Sequence, residues 1–295
     1  MKPILLALPG TGALASGLAQ HLSCEVGSLE IHRFPDGESC PRLPPGLARR
    51  DVVLLASLDH PDRKLVGLYL TACVARELGA RSIGLVAPYL PYMRQDAVFV
   101  PGQGITARHV AAMLSGCVDW LVTVDPHLHR FRSLSDLYPI PSLVVPAAPE
   151  IARWIRAKVA HPLLVGPDQE SEQWVAQVAS EVGCGYTILD KVRSGDQQVT
   201  VSVPGTLALD GCTPVLIDDI ASTGRTMRAA VLKLKAAGSL APVCIAVHAL
   251  FCGDAFAELG TAGADCVVSC NSVEHVSNLI DLSAPLAAAV RRMLP

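Results

Sequence analysis

The sequence predicts an α/β protein made of two doubly wound domains with mainly parallel sheets. Three observations carry that prediction. Short continuous apolar runs recur along the 295 residues, as strands buried on both faces require. Segments of helical period lie between them, and strands alternating with amphipathic helices build parallel sheets with both faces covered. A proline-rich stretch, YPIPSLVVPAAPE over Tyr138–Glu150, divides the chain near its middle. Each half keeps enough elements for a compact domain, so the expected division is 1–146 and 147–295.

In chain order the apolar runs are ILLAL from Ile4, VVLLA from Val52, IGLVA from Ile83, WLVTV from Trp120, PLLVG from Pro162 and PVLID from Pro214. Each is broken off by Gly, Pro or charge at strand length. None approaches the roughly 18 residues that span a bilayer, although the chain is 51% hydrophobic with a mean hydropathy of +0.38. No membrane partner is expected. The first run opens MKPILLALPGTGALASG, where Pro9, Gly10 and Gly12 cut the apolar stretch short and weigh against a secretion signal. After the third run, Val110, Met113, Leu114 and Cys117 fall at i, i+3, i+4 and i+7. Met227, Ala230, Val231 and Leu234 repeat that spacing after the sixth, and both stripes read as buried helix faces.

Composition excludes several classes of function. The ten cysteines contain no C-x-x-C pair, which fits buried thiols in a reducing, cytoplasmic setting better than a disulfide framework or a zinc site. Cys266 and Cys270, the closest pair, read as core. The formal net charge is -3, the pI is near 6.3, and no basic block stands out. The electrostatic footprint of a nucleic-acid binder is missing. Small-molecule chemistry is the expectation that remains.

In open α/β sheets ligands collect at the carboxyl ends of strands, so the strand-to-helix turns are where chemistry is sought. The sixth run continues as LIDDIASTGRTM, Leu216–Met227. Asp218 and Asp219 end the strand, and Ser222, Thr223, Gly224 and Thr226 form the turn that starts a helix. Hydroxyls and successive N–H groups at a helix N-terminus suit a phosphate dianion, with Gly224 allowing close approach. The acids can accept hydrogen bonds from sugar hydroxyls or hold a metal through water. Ordinary helix caps use the same residue types. Adjacent carboxylates at a strand end, however, repel unless something bound there compensates.

VLIDDIASTGRT resembles the sugar-phosphate loop of type I phosphoribosyltransferases and of ribose-phosphate diphosphokinases. The resemblance implies a type I phosphoribosyltransferase-like fold for both domains, with Asp218 and Asp219 on the ribose hydroxyls. Ser222, Thr223, Gly224 and Thr226 would then hold the 5-phosphate of ribose 5-phosphate. Five further stretches point to the diphosphokinases. His32–Glu38, HRFPDGE, resembles F-x-D-G-E, which implies adenine contacts for Phe34, Asp36 and Glu38. Ala87–Asp96, APYLPYMRQD, resembles P-Y-x-x-Y-x-R-Q-D, which implies an ATP-binding role for Arg94, Gln95 and Asp96. Thr123–Arg130, TVDPHLHR, resembles the turn whose histidine takes the metal of Mg-ATP, here His127. Val165–Trp174, VGPDQESEQW, resembles the turn near the ribose phosphate, with Asp168 as a second candidate for the metal, and Asp190–Gly195, DKVRSG, resembles the loop with a catalytic Lys and Arg, here Lys191 and Arg193.

Taken singly, these stretches have plain readings. P-D-G is turn chemistry by itself, Arg94–Asp96 fits a solvated loop, Asp125 and His127 fit a capped turn, and Lys191 and Arg193 fit surface charge. Their order along the chain sets them together. The pattern departs from many relatives at Ser222, where a third acid is common, at Gln169-Glu170-Ser171, and at His129; these features resemble the archaeal-type branch.

The activity implied is transfer of the diphosphoryl group of Mg-ATP to the C1 hydroxyl of ribose 5-phosphate, with Mg²⁺ as cofactor and a homo-oligomer of two or more copies. A phosphoribosyltransferase acting on a base would need only the sugar-phosphate loop. A noncatalytic regulatory homologue would need none of Asp168, Lys191, Arg193 or the two loop acids for binding alone. The polar DKVRSGDQQ segment with Gly195 fits a lid that excludes water from an attackable phosphoanhydride.

Overall fold

Each apolar run of the sequence becomes a strand of a parallel sheet. The computed structural model describes residues 2–194, 198–202 and 211–295, and at residues 170, 173, 190–194 and 198–202 it describes the backbone only. In chain order the elements are β1 (Ile4–Ala7), α1 (Gly12–Leu22), β2 (Glu25–Gly27), β3 (Glu30–Arg33), β4 (Ser39–Arg42), β5 (Asp51–Leu55), α2 (Pro61–Glu77), β6 (Ser82–Ala87), α3 (Thr106–Ser115), β7 (Trp120–Val124) and β8 (Ser142–Val145). Then come α4 (Ala148–Lys158), β9 (Pro162–Gly166), α5 (Glu172–Val182), β10 (Tyr186–Ile188), β11 (Asp190–Ser194), β12 (Gln198–Ser202), β13 (Thr213–Ala221), α6 (Arg225–Ala236), β14 (Val243–Ala249), α7 (Ala255–Ala262), β15 (Cys266–Cys270), β16 (Asn278–Ile280) and α8 (Ser283–Met293).

The chain divides into two units, 1–145 with 272–274 and 282–295, and 146–271 with 275–281. In the first the strand order is β2-β1-β5-β6-β7-β8, and every neighbouring pair is parallel. In the second it is β10-β9-β13-β14-β15-β16, again parallel throughout. The two sheets share one topology, although no repeat is visible in the sequence. The order reverses between β1 and β5 in one sheet and between β9 and β13 in the other, and such reversals open a crevice at the carboxyl ends of the strands.

The expected stripes are largely the buried ones. Met227, Ala230, Val231 and Leu234 are the buried face of α6. In α3 the buried residues are Ala107, Val110, Ala111 and Leu114, with Cys117 buried just beyond the helix and Met113 only partly covered. Between β6 and β7 a Cβ on Gly84 would fall 1.9 Å from the Trp120 ring, so only glycine lets that indole lie across the sheet. Of the cysteines, Cys117, Cys244 and Cys270 are buried, but Cys40, Cys73 and Cys252 are exposed. The expectation of buried thiols holds for a minority.

Two details differ from the linear reading. The proline-rich stretch is not a plain loop: it contains β8 and the start of α4, and the units divide at Val145 and Pro146. The terminal residues 282–295, assigned by the sequence division to the second half, pack in the first unit. There α8 lies against α1 with Leu286, Ala287, Ala289 and Val290 buried, because its apolar face needs the uncovered side of the first sheet.

Candidate active site

In the second unit the strand-end chemistry is built on β9 and β13, adjacent at the point where strand order reverses. β13 is buried from Pro214 to Ile217. It pairs with β9 only as far as Leu216 opposite Val165, but with β14 as far as Ala221 opposite Ala249. The strand therefore does not end at the acid pair, as its sequence predicts, but runs on past it because one neighbour keeps pairing. Asp218 and Asp219 lie where the other neighbour has stopped. The Asp219 N–H donates to Asp218 Oδ1 at 3.0 Å, and the Ile220 N–H donates to Asp219 Oδ1 at 2.7 Å.

Asp218 carries the strongest electrostatic signal of the site. Burial pushes its carboxyl well above the ordinary carboxylate range, and the negative charges of Asp219 and then Asp168 push it further. Asp168 follows β9, and its carbonyl accepts the Ser171 hydroxyl at 2.6 Å. A Cβ on Gly166 would come within 2.5 Å of Ser171 Oγ and of Ile188 Cδ1, so a glycine at the strand end is what lets this turn fold back. Three carboxylates thus share one corner of the fold.

Ser222, Thr223 and Gly224 lead from β13 into α6. Gly224 has φ +64°, and a Cβ there would stand 3.4 Å from Ala255 Cβ. The backbone conformation selects glycine, while the distance to Ala255 is an ordinary contact. The first turn of α6, with Thr226 in it, has neither an acidic residue nor a side-chain cap, and uncapped N–H groups at a helix start are what an anion could bind. The turn is braced from β14: Ala221 O accepts the N–H groups of Leu250 at 3.0 Å and Phe251 at 2.8 Å, and Ser222 O accepts that of Cys252 at 2.9 Å. Nothing in the sequence marked that brace.

Lys191 and Arg193 lie on β11, which forms an antiparallel hairpin with β12 in the register Lys191 to Val201 and Arg193 to Val199. Their side chains, and Gly195, fall outside the described residues. β12 lies beside α6, the helix that begins at the hydroxyl turn.

In the first unit Arg94, Gln95 and Asp96 follow β6, and His127 follows β7, the next strand. Tyr92 holds the left-handed conformation at φ +64°. Its hydroxyl donates to Asp62 on α2, and that bond raises the phenol pKa. The Gln95 N–H closes the turn on Tyr92 O at 2.8 Å, and Gln95 O accepts the Ala107 N–H at 3.2 Å. Arg94 and Gln95 are exposed, whereas Asp96 is buried. Asp125 also has a positive φ, +29°, and half-buried His127 meets the His129 ring edge-on at 4.8 Å. Phe34, Asp36 and Glu38 sit on the separate β3–β4 hairpin, whose turn is closed by Phe34 N–H on Glu38 O at 2.9 Å and by Glu38 N–H on Asp36 Oδ1 at 3.2 Å. Phe34 is 44% exposed.

Among the described residues, no three of His, Cys, Asp and Glu form a group that could hold a metal by themselves. Magnesium asks for less: it keeps several waters and takes one or two carboxylates together with substrate phosphates. The residues fit such an ion. The cluster of Asp168, Asp218 and Asp219 has the excess negative charge that a hydrated cation offsets.

Comparison with known proteins agrees across the chain. The N-terminal domain of ribose phosphate pyrophosphokinase matches residues 4–117, and a phosphoribosyl transferase domain matches residues 143–281. The chain is 33% identical over 294 residues to a ribose-phosphate pyrophosphokinase of Methanopyrus kandleri, covering 98% of this chain and 99% of that one. Proteins of the same description from Halobacterium salinarum and Sulfolobus acidocaldarius are 32% and 30% identical, each over 97% of this chain and the whole of the relative. A crystal structure of phosphoribosylpyrophosphate synthetase from Mycobacterium smegmatis superposes with a TM-score of 0.86 at 23% identity, covering 99% of both chains, and shares the fold.

Proposed function

The chain belongs to the ribose-phosphate pyrophosphokinase family, and from that premise we propose that it makes 5-phosphoribosyl 1-pyrophosphate and AMP from ATP and ribose 5-phosphate. The observation that carries the reading is the corner of three carboxylates beside an uncapped helix start. One part suits a polyol and the other its phosphate, and the second follows the acid pair at the end of the same strand.

The C1 hydroxyl oxygen forms a bond to the β-phosphorus, the bond from that phosphorus to the α,β-bridging oxygen breaks, and the bridging oxygen leaves with AMP. The hydroxyl proton is released. Such a reaction asks the protein for positioning and charge stabilisation rather than for covalent chemistry. Asp218 and Asp219 accept hydrogen bonds from the ribose hydroxyls, and Ser222, Thr223, Gly224 and Thr226 receive the 5-phosphate. Magnesium would supply charge compensation for the transferred oxygens; His127 in the first unit and Asp168 in the second are each candidates to hold it, directly or through water. Arg94 and Gln95, both exposed after β6, meet the nucleotide, and Phe34, Asp36 and Glu38 seat its base. Lys191 and Arg193 close over the diphosphate.

Incubation of the protein with ATP, ribose 5-phosphate and Mg²⁺, followed by phosphorus NMR, tests the proposal. AMP and a sugar diphosphate are expected in equal amounts without any base present. Stoichiometric ADP would mean an ordinary kinase, and no turnover would return the chain to a regulatory role.

A further inference from the structure

Asp96 is sealed from solvent, with 2% of its side chain exposed, and its Oδ1 accepts a hydrogen bond from Arg130 Nη1 at 2.7 Å. Its Oδ2 is also buried and has no hydrogen-bond partner among the described residues. A carboxylate so placed has little access to a nucleotide, yet it is costly to bury without a reason. The reason lies in its partner. The Arg130 guanidinium sits 5.4 Å from the centroid of the Phe99 ring, while 56% of the Arg130 side chain stays exposed.

One cation is therefore gripped twice, by a buried carboxylate and by a ring face, and left open on its remaining donors. A flexible surface arginine loses rotamer freedom when it binds, whereas a planar fork fixed in advance loses less and matches phosphate oxygens in pairs. A second clasp of the same kind runs the other way, with the Arg108 guanidinium 5.5 Å from the Phe131 ring centroid. The segment after β6, with α3 that follows it, and the turn after β7 thus hold each other at three points. Arg130 lies on the turn that carries His127.

Resting on the reading above, we propose that Arg130 binds the phosphate chain of the nucleotide and that Asp96 is a positioning residue acting through it. This moves Asp96 from the nucleotide's contacts to the support beneath them, and adds a cation that the motif comparison did not assign.

The test uses the full chain and calorimetric binding of a non-hydrolysable ATP analogue with Mg²⁺, together with KM values for ATP and ribose 5-phosphate. Arg130→Gln is expected to weaken the analogue and raise the KM for ATP at least about tenfold, with the KM for ribose 5-phosphate within about twofold of wild type. Arg130→Lys, which keeps the charge and loses the fork, should fall between. Asp96→Asn should weaken the analogue comparably, and the double variant should be no worse than Arg130→Gln, since the two act as one unit. Should Asp96→Asn fail to fold, the two Arg130 variants still decide. Unchanged analogue affinity in Arg130→Gln, with only a lower melting temperature, overturns the inference and makes the clasp structural. Full additivity in the double variant overturns the positioning role of Asp96. A wild-type protein that turns over while Arg130→Gln binds normally defeats this inference and spares the proposed reaction. Analogue binding that depends on Arg130 in a wild type forming no AMP does the reverse.

Discussion

Asp168, on the turn after β9, and Asp218, on β13, come from strands that neighbour one another, and the charge of Asp168 helps to hold the Asp218 carboxyl above the ordinary carboxylate range. The pair is unfavourable in the ligand-free protein. Such strain persists at functional sites, where what binds relieves it.

Removing the charge of Asp218 should therefore separate stability from function. A carboxyl whose pKa is raised on folding binds its proton more tightly when folded, so stability falls as pH rises from the ordinary carboxylate value through the raised one. Without Mg²⁺ or substrates, Asp218→Asn is expected to melt higher than wild type at pH 7. The gain should shrink as the pH is lowered into the carboxylate range, where wild-type Asp218 is already protonated. A variant that melts lower at every pH would show that the acid is held by favourable contacts instead.

The same substitution, and Asp219→Asn, should raise the KM for ribose 5-phosphate by at least about tenfold while changing the KM for ATP little, because a site built to bond hydroxyls leaves groups unpaired when a partner changes. Steady-state kinetics in both substrates measures this. Equal effects on the two substrates would place the acids away from the sugar.

Gly224→Ala tests the turn. Its left-handed backbone costs an alanine about 1–2 kcal/mol, while the added Cβ would meet Ala255 at an ordinary contact distance. Denaturant unfolding should show a loss of that order, with weaker binding of ribose 5-phosphate and little change for free ribose. Full stability would mean that the turn relaxes.

His127→Ala should raise the Mg²⁺ concentration for half-maximal rate by roughly tenfold or more, the scale on which groups that hold or orient a metal act. Titration of rate against Mg²⁺ at saturating ATP decides it. An unchanged midpoint would leave the ring to pack against His129.

Lys191→Ala and Arg193→Ala should each lower kcat by about a hundredfold or more with little change in KM, since a cation on a transferring phosphoryl group stabilises the transition state above all. A surface charge is worth almost nothing on that scale. Wild-type turnover in either variant would return that residue to solvated loop.

The sequence alone determined the α/β class, six of the core strands (β1, β5, β6, β7, β9 and β13), most of the buried faces of α3 and α6, and the glycine turn that leads into α6. These are local facts: a run of Val, Ile and Leu, a helical period, a glycine before a helix all act within a dozen residues. Only the tertiary structure decided what depends on residues far apart in the chain. It extended β13 past its acids because β14 continues to pair. It gave two halves without visible sequence repeat the same strand order, and packed the last helix, α8, in the first unit. It also joined Asp62 to Tyr92 and Asp96 to Arg130. A motif read along the chain made Asp96 one of three like neighbours. Burial, which is set by everything packed around a residue, separated it from Arg94 and Gln95.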